Sequence, residues 1–329
     1  MVDVTVTELR KDYFGEKFVI MNSGRSGRPV DIKVPMKKTS TRCAICSEIR
    51  GKGKPAVVVD QKSKLISSKR PYDLKDDEML SHLIPVGRHL IVAITNHDDK
   101  VQTLKVEKLA QILSILQETA RSSSSRKSGE YTAIFLNYGV GYGDDGAVTS
   151  YHPNFEIHTL PIIPPAIEYE IKAVEKSMYD LGICTICRVV SLETGGPRQI
   201  LSTTHFLAFA PWAATHPFEF WISPKTHQTS FLKISDKEIS DLALILRSTL
   251  GGVSHALGDV PFTVVFHNSP QGDKDLELHW HLEAYPLVGI RAGLEEGMSV
   301  FLNDTAPELA AETLGKASRR ELAALVGVV

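Results

Sequence analysis

The chain has 329 residues, 43% of them hydrophobic and 23% charged, with a formal net charge of −2. That balance is ordinary for a folded soluble protein and lacks the basic footprint that nucleic acid or an anionic membrane surface calls for. No apolar run reaches the roughly 18 residues a bilayer span needs, and the opening M-V-D-V-T-V-T-E-L-R-K-D has no signal-peptide core, so no membrane partner and a reducing cytoplasmic setting are expected.

In chain order, the pattern predicts a strand over 17–21, a Gly/Arg-rich turn over 23–29, and strands over 56–59 and 89–95. Residues 104–120 carry Val106, Leu109, Ile112, Leu113 and Leu116 at helical spacing. A serine run from Ser122 to Ser125 reads as a surface loop, 131–136 as an apolar strand, and the glycine-rich stretch from Asn137 to Gly146 as a loop leading to a strand with His152. Pro161, Pro164 and Pro165 mark a break. Beyond it the order recurs: a helix over 166–180, strands over 205–210 and 218–222, a helix over 236–255 and a strand over 262–266. F-H-N-S-P from Phe266 aligns with F-L-N-Y-G from Phe135, matching Asn268 to Asn137 and leaving His267 opposite Leu136. The expected fold is α+β, a tandem duplication with antiparallel strands and a long helix in each half, residues 1–165 and 166–329.

The four cysteines fall in two C-x-x-C pairs, Cys43/Cys46 and Cys184/Cys187. His97 and His152 follow the first pair, and His227 and His279 follow the second in the same order. Two thiolates with two distant imidazoles form the ligand set of a closed tetrahedral zinc site. Its repetition in register favours zinc over a redox dithiol and predicts two zinc ions per chain. His82, His89, His205, His216 and His255 read as surface or satisfied core residues.

These residues resemble the galactose-1-phosphate uridylyltransferase superfamily, within the histidine-triad-like folds. The resemblance spans nearly the whole chain: R-K-D-Y-F-G-E-K-F-V-I-M with Arg25 and Arg28-Pro29, C-A-I-C, N-H-D-D, the loop into H-P, P-F-E-F-W-I-S-P-K-T-H, and H-W-H-L-E-A-Y-P. The paired zinc motifs look most like the branch that includes the plant ADP-glucose phosphorylase. The resemblance implies a histidine-triad-like unit in each half and the two zinc sets just named. Other members build a second-half iron site, whose matching positions are Glu170, His267, His279 and His281; the thiolates of Cys184 and Cys187 favour zinc instead. Histidine-triad architecture is also compatible with a homodimer.

One motif departs. Family enzymes read H-P-H-x-Q, and the second histidine attacks the α-phosphorus of a nucleoside-diphosphate sugar. This chain reads His152-Pro153-Asn154-Phe155-Glu156. An amide nitrogen, its lone pair delocalised, cannot act as an imidazole nucleophile. On a strand His158 shares the face of Asn154 and Glu156 but stands about 13 Å beyond Asn154, at about 3.3 Å per residue. His281 is the second-half counterpart of Asn154. The catalytic candidates are therefore Asn154, Glu156, His158 and His281, with Glu156 or His158 in acid–base roles. Arg25 and Arg28 suit a phosphate, Thr149 and Ser150 stand where the family contacts one, and Asn137 lies at the head of the loop. The expected activity is that of a zinc-containing nucleotidyltransferase or phosphorylase on a nucleotide or nucleotide sugar, with a sugar phosphate or inorganic phosphate as second substrate and without a covalent nucleotidyl-histidine. The rival expectation is a non-catalytic nucleotide-binding or regulatory protein that keeps the fold.

Overall fold

The computed structural model describes residues 7–15, 17–22, 43–49, 53–60, 86–124, 130–139, 152–270, 278–289 and 291–327. Period-two stretches from both halves join one antiparallel sheet of nine strands. Its order is β3 (Ala56–Asp60), β4 (His89–Ile94), β6 (Asn154–Leu160), β5 (Tyr131–Tyr138), β10 (Phe262–His267), β11 (His281–Pro286), β9 (Phe220–Pro224), β8 (Phe206–Phe209) and β7 (Gln199–Ser202). Outward from the central β5–β10 pair, β6 answers β11, β4 answers β9 and β3 answers β8, as a duplication requires.

Strand pairing corrects one equivalence. Phe135 lies opposite Glu156, and Val265 lies opposite Glu283. With Glu156 and Glu283 as counterparts, Phe135 matches Val265, so Asn137 matches His267 and not Asn268. The F-x-N echo misled by one residue, and one residue on a strand exchanges the two faces of the sheet. Asn268 has a different task, its Oδ1 accepting from the Phe231 N–H at 2.8 Å.

One face of the sheet is covered by three long helices, α2 (Val106–Ser123), α5 (Asp236–Leu257) and α7 (Pro307–Val326). Leu109, Ile112, Leu113 and Leu116 of α2 are fully buried in a core shared with Phe155, Ile157, Leu242 and Leu314. A capping box between Ser235 and Glu238 starts α5. Helix α7 is not foreseen by the sequence pattern above. It packs on α5 at Gly252, where an added Cβ would collide with Ser318 and come within 2.9 Å of its backbone nitrogen.

The opposite face carries the chemistry. Against it lie the short helix α1 (Ala44–Ile49) and, in the other half, α3 (Pro165–Leu181) and α4 (Thr185–Glu193). Each C-x-x-C therefore sits at a short helix facing the same side of the sheet. A second sheet joins β1 (Thr7–Lys11), β2 (Phe18–Asn22) and β12 (Val300–Asn303), with β2 and β12 parallel, so segments near both ends of the sequence meet. Among the described residues no helix is long and apolar enough to cross a membrane.

Candidate functional site

The eight residues expected as zinc ligands are gathered into two sets of four. In each, all four ligand atoms lie within 4.8 Å of one another. In the first, His97 follows β4 and His152 precedes β6, bringing Cys46 Sγ to 3.3 Å from His97 Nδ1 and 3.4 Å from His152 Nδ1. In the second, Cys187 Sγ is 3.3 Å from both His227 Nδ1 and His279 Nδ1. About 3.5 Å is the ligand–ligand edge of a tetrahedron with bonds of about 2.0–2.3 Å. No disulfide competes for the four cysteines.

Outer contacts point the same way. His152 Nε2 lies 2.8 Å from the Ile94 carbonyl and His279 Nε2 lies 3.1 Å from the Pro224 carbonyl. Each Nε2–H donating there leaves Nδ1 bare toward the thiols, the usual arrangement for a metal-bound imidazole. Burial lowers His152 and, with the nearby His227 and His281, takes His279 down to about 3, so both rings are neutral. Burial and the adjacent Cys184 push the Cys187 thiol up to about 12 in the metal-free protein. A dication reverses that penalty by binding the thiolate. The donor sets fit zinc.

From the first set β6 runs along the reactive face. Asn154 donates from Nδ2 to the His152 carbonyl at 2.7 Å, so its amide is tied to the backbone. Two residues on, Glu156 Oε2 lies 3.0 Å from His89 Nε2 and 3.1 Å from His158 Nε2. Burial would raise this carboxyl, but hydrogen bonds from His158 and His89 prevail and hold it near 2. His89 is thus a part-buried residue hydrogen-bonded to Glu156. It lies directly opposite His158 on β4, a pairing no local pattern reveals.

In the second half His281 occupies the position of Asn154 but is fully buried, stacked on Trp221 at 4.9 Å and on Phe14 at 6.4 Å. It belongs to a buried cluster with Glu170, His267 and Glu283. His267 Nδ1 lies 2.7 Å from Glu170 and its Nε2 lies 3.6 Å from Glu283. Although burial opposes it, these carboxylates raise His267 to about 9, while His267 and His281 bring Glu283 down to about 2. The cluster is an ion-pair network with both His267 nitrogens committed, and His279 stands with the cysteines instead. Sequence reading missed Glu283, and its spacing of two from His281 on one strand was the available signal.

Asn137 Oδ1 accepts from Thr263 Oγ1 at 2.9 Å across the β5–β10 seam. Arg25, Arg28, Thr149 and Ser150 lie outside the described residues.

No family model matches the sequence. The chain is 26% identical over 335 residues to an ADP-glucose phosphorylase from Arabidopsis thaliana, covering 94% of this chain and 93% of that protein. It is 26% identical over 322 residues to a galactose-1-phosphate uridylyltransferase from Thermotoga maritima, covering 93% and 97%. Its fold matches a crystal structure of an ADP-glucose phosphorylase from Arabidopsis thaliana with bound ADP-glucose at a TM-score of 0.77 and 22% identity, over 94% of this chain and 98% of that one. The chain shares the fold of that structure. Over nearly its whole length the sequence is similar to both an ADP-glucose phosphorylase and a galactose-1-phosphate uridylyltransferase.

Proposed function

We propose that the chain is a two-zinc enzyme of nucleotidyltransferase or phosphorylase type that acts on the phosphoanhydride of a nucleotide sugar. The similarity to relatives with that chemistry in their names, end to end in both chains, supports the substrate class. Cys43, Cys46, His97 and His152 would hold one zinc, and Cys184, Cys187, His227 and His279 the other. As closed sites they supply no open coordination position. Their role is to fix the approach to β6 and β11 and so the reactive face, in a reducing compartment that keeps the thiols available.

The observation that carries the mechanism is the environment of Asn154 and Glu156. With an amide at 154 there is no imidazole to form a covalent nucleotidyl intermediate. The acceptor, inorganic phosphate or a sugar phosphate, then attacks the α-phosphorus directly, forming a new P–O bond as the anhydride bond breaks and the sugar 1-phosphate leaves. Glu156, ionised at neutral pH and bound to His89 and His158, organises the proton-handling groups on this face. His281, sealed beneath Trp221, has no such access. Incubation of the purified protein with nucleoside-diphosphate sugars labelled in the α-phosphate, with and without phosphate or hexose 1-phosphate, tests the reading. Acceptor-dependent release of nucleotide products supports it, and absence of turnover with uridine and adenosine sugars alike refutes it.

A second reading, a nucleotide-binding regulator without turnover, is favoured by the Asn154 amide donating back to the His152 carbonyl at 2.7 Å. Binding of the same sugars without product would select it.

A further inference from the structure

We propose that His89, Glu156 and His158 form a binding site for an exchangeable divalent first-row transition ion, separate from the two cysteine–histidine sets. The three side chains come from adjacent antiparallel strands. His89 and His158 are direct cross-strand partners, with ring centroids 4.0 Å apart, and Glu156 lies two residues from His158 on the same face. Their ligand atoms, Nε2, Oε2 and Nε2, lie within 4.8 Å of one another. The two contacts to Glu156 Oε2 measure 3.0 and 3.1 Å. Ligands at right angles about 2.1 Å from one ion are separated by about 3 Å, so the contacts already have the required edge.

Two histidines and one carboxylate on one side of an ion leave the remaining coordination positions free for oxygen ligands. Exposure agrees: the side chains of His89, Glu156 and His158 are 13%, 23% and 15% accessible, so solvent reaches the trio. The buried Glu170–His267–His281–Glu283 cluster offers no such opening. The carboxylate is essential to the set, because glutamine, the residue the family motif has at Glu156, would supply a neutral ligand. With no cysteine the trio lacks the thiolate bias of the other two sets and admits Mn²⁺, Fe²⁺ or Co²⁺ as well as Zn²⁺, with Mn²⁺ the weakest of these in the general affinity order.

One feature limits affinity. An ion at Nε2 of His89 fixes that ring's proton on Nδ1, and this atom is buried without a hydrogen-bond partner among the described residues. Metal-bound histidines ordinarily donate that proton to a carbonyl or carboxylate, as His152 and His279 can. The ion is therefore exchangeable rather than resident.

The inference does not rest on the nucleotide-sugar reading, since its test needs no nucleotide and no turnover. Zinc-loaded protein is titrated with Mn²⁺ while the free-ion EPR signal is followed, and zinc content is measured before and after. The expected result is one Mn²⁺ bound per chain with zinc unchanged, and a spin-echo spectrum showing coordinated imidazole nitrogen. Glu156→Gln should weaken binding at least tenfold, and His158→Gln, which keeps the carboxylate, serves if the first variant misfolds. An undiminished free Mn²⁺ signal at millimolar protein overturns the proposal. So does equal binding by the wild type and a folded Glu156→Gln,His158→Gln protein, because the ion would then sit elsewhere.

Discussion

Raising the pH should remove the proton from His267 and weaken the fold. Burial alone would lower this imidazole, but Glu170 and Glu283 on either side raise it from 6.5 to about 9. A group raised in the folded state contributes stability that is complete below its unfolded value and is lost as pH climbs through its folded value. The window therefore runs from about 6.5 to about 9. A difference of about 2.5 pH units at about 1.4 kcal/mol each gives a loss of about 3 kcal/mol across it. Solvent screening takes little from that figure, since the side chains of His267, Glu170 and Glu283 are 9%, 5% and 6% exposed. Urea unfolding of the zinc-loaded protein at several pH values through the window measures the loss. His267→Gln keeps a donor but no charge, so the variant should be less stable near pH 6 and should lack this part of the slope. Parallel wild-type and variant profiles from about pH 6.5 to about pH 9 would refute the ion-pair account of the cluster.

Elemental analysis of protein purified without chelator should give two zinc ions per chain. Cys43→Ser and Cys187→Ser should each remove one and lower the melting temperature, because zinc held in a structural site contributes its binding free energy to folding. Asn154→His restores the family's H-P-H, and a covalent nucleotidyl adduct should then accumulate on incubation with nucleotide sugars, more readily with Glu156→Gln added. Mass spectrometry reads it, and failure of the double variant to label or bind would count against a phosphoanhydride substrate. Gly252→Ala drives a methyl into Ser318 at the α5–α7 contact and should cost about 1–3 kcal/mol by thermal or chemical denaturation.

Spacing in the sequence located the two cysteine–histidine sets. The C-x-x-C pairs and their matched histidines named all eight members of the two sets, because within each half the pair sits at a short helix and the histidines flank strand ends of the same part of the sheet. Period also located α2, α5 and the central strands to within a few residues, since burial of one face writes itself into local order. Tertiary structure decided what spacing could not. Whether His89 meets His158, or Asn137 answers His267, depends on strand register, a property of two segments distant in sequence. Glu283 likewise enters the His267 network only through pairing of β10 with β11, and Lys17 through packing of the N-terminal hairpin. His281 looked equivalent to a catalytic position, yet Trp221 and Phe14 close over it while Glu156 stays reachable. Accessibility and charge state are set by what packs around a residue, and so the packing of Phe14, Trp221, α3 and α4, not strand pairing, separates the open face of the first half from the sealed one of the second.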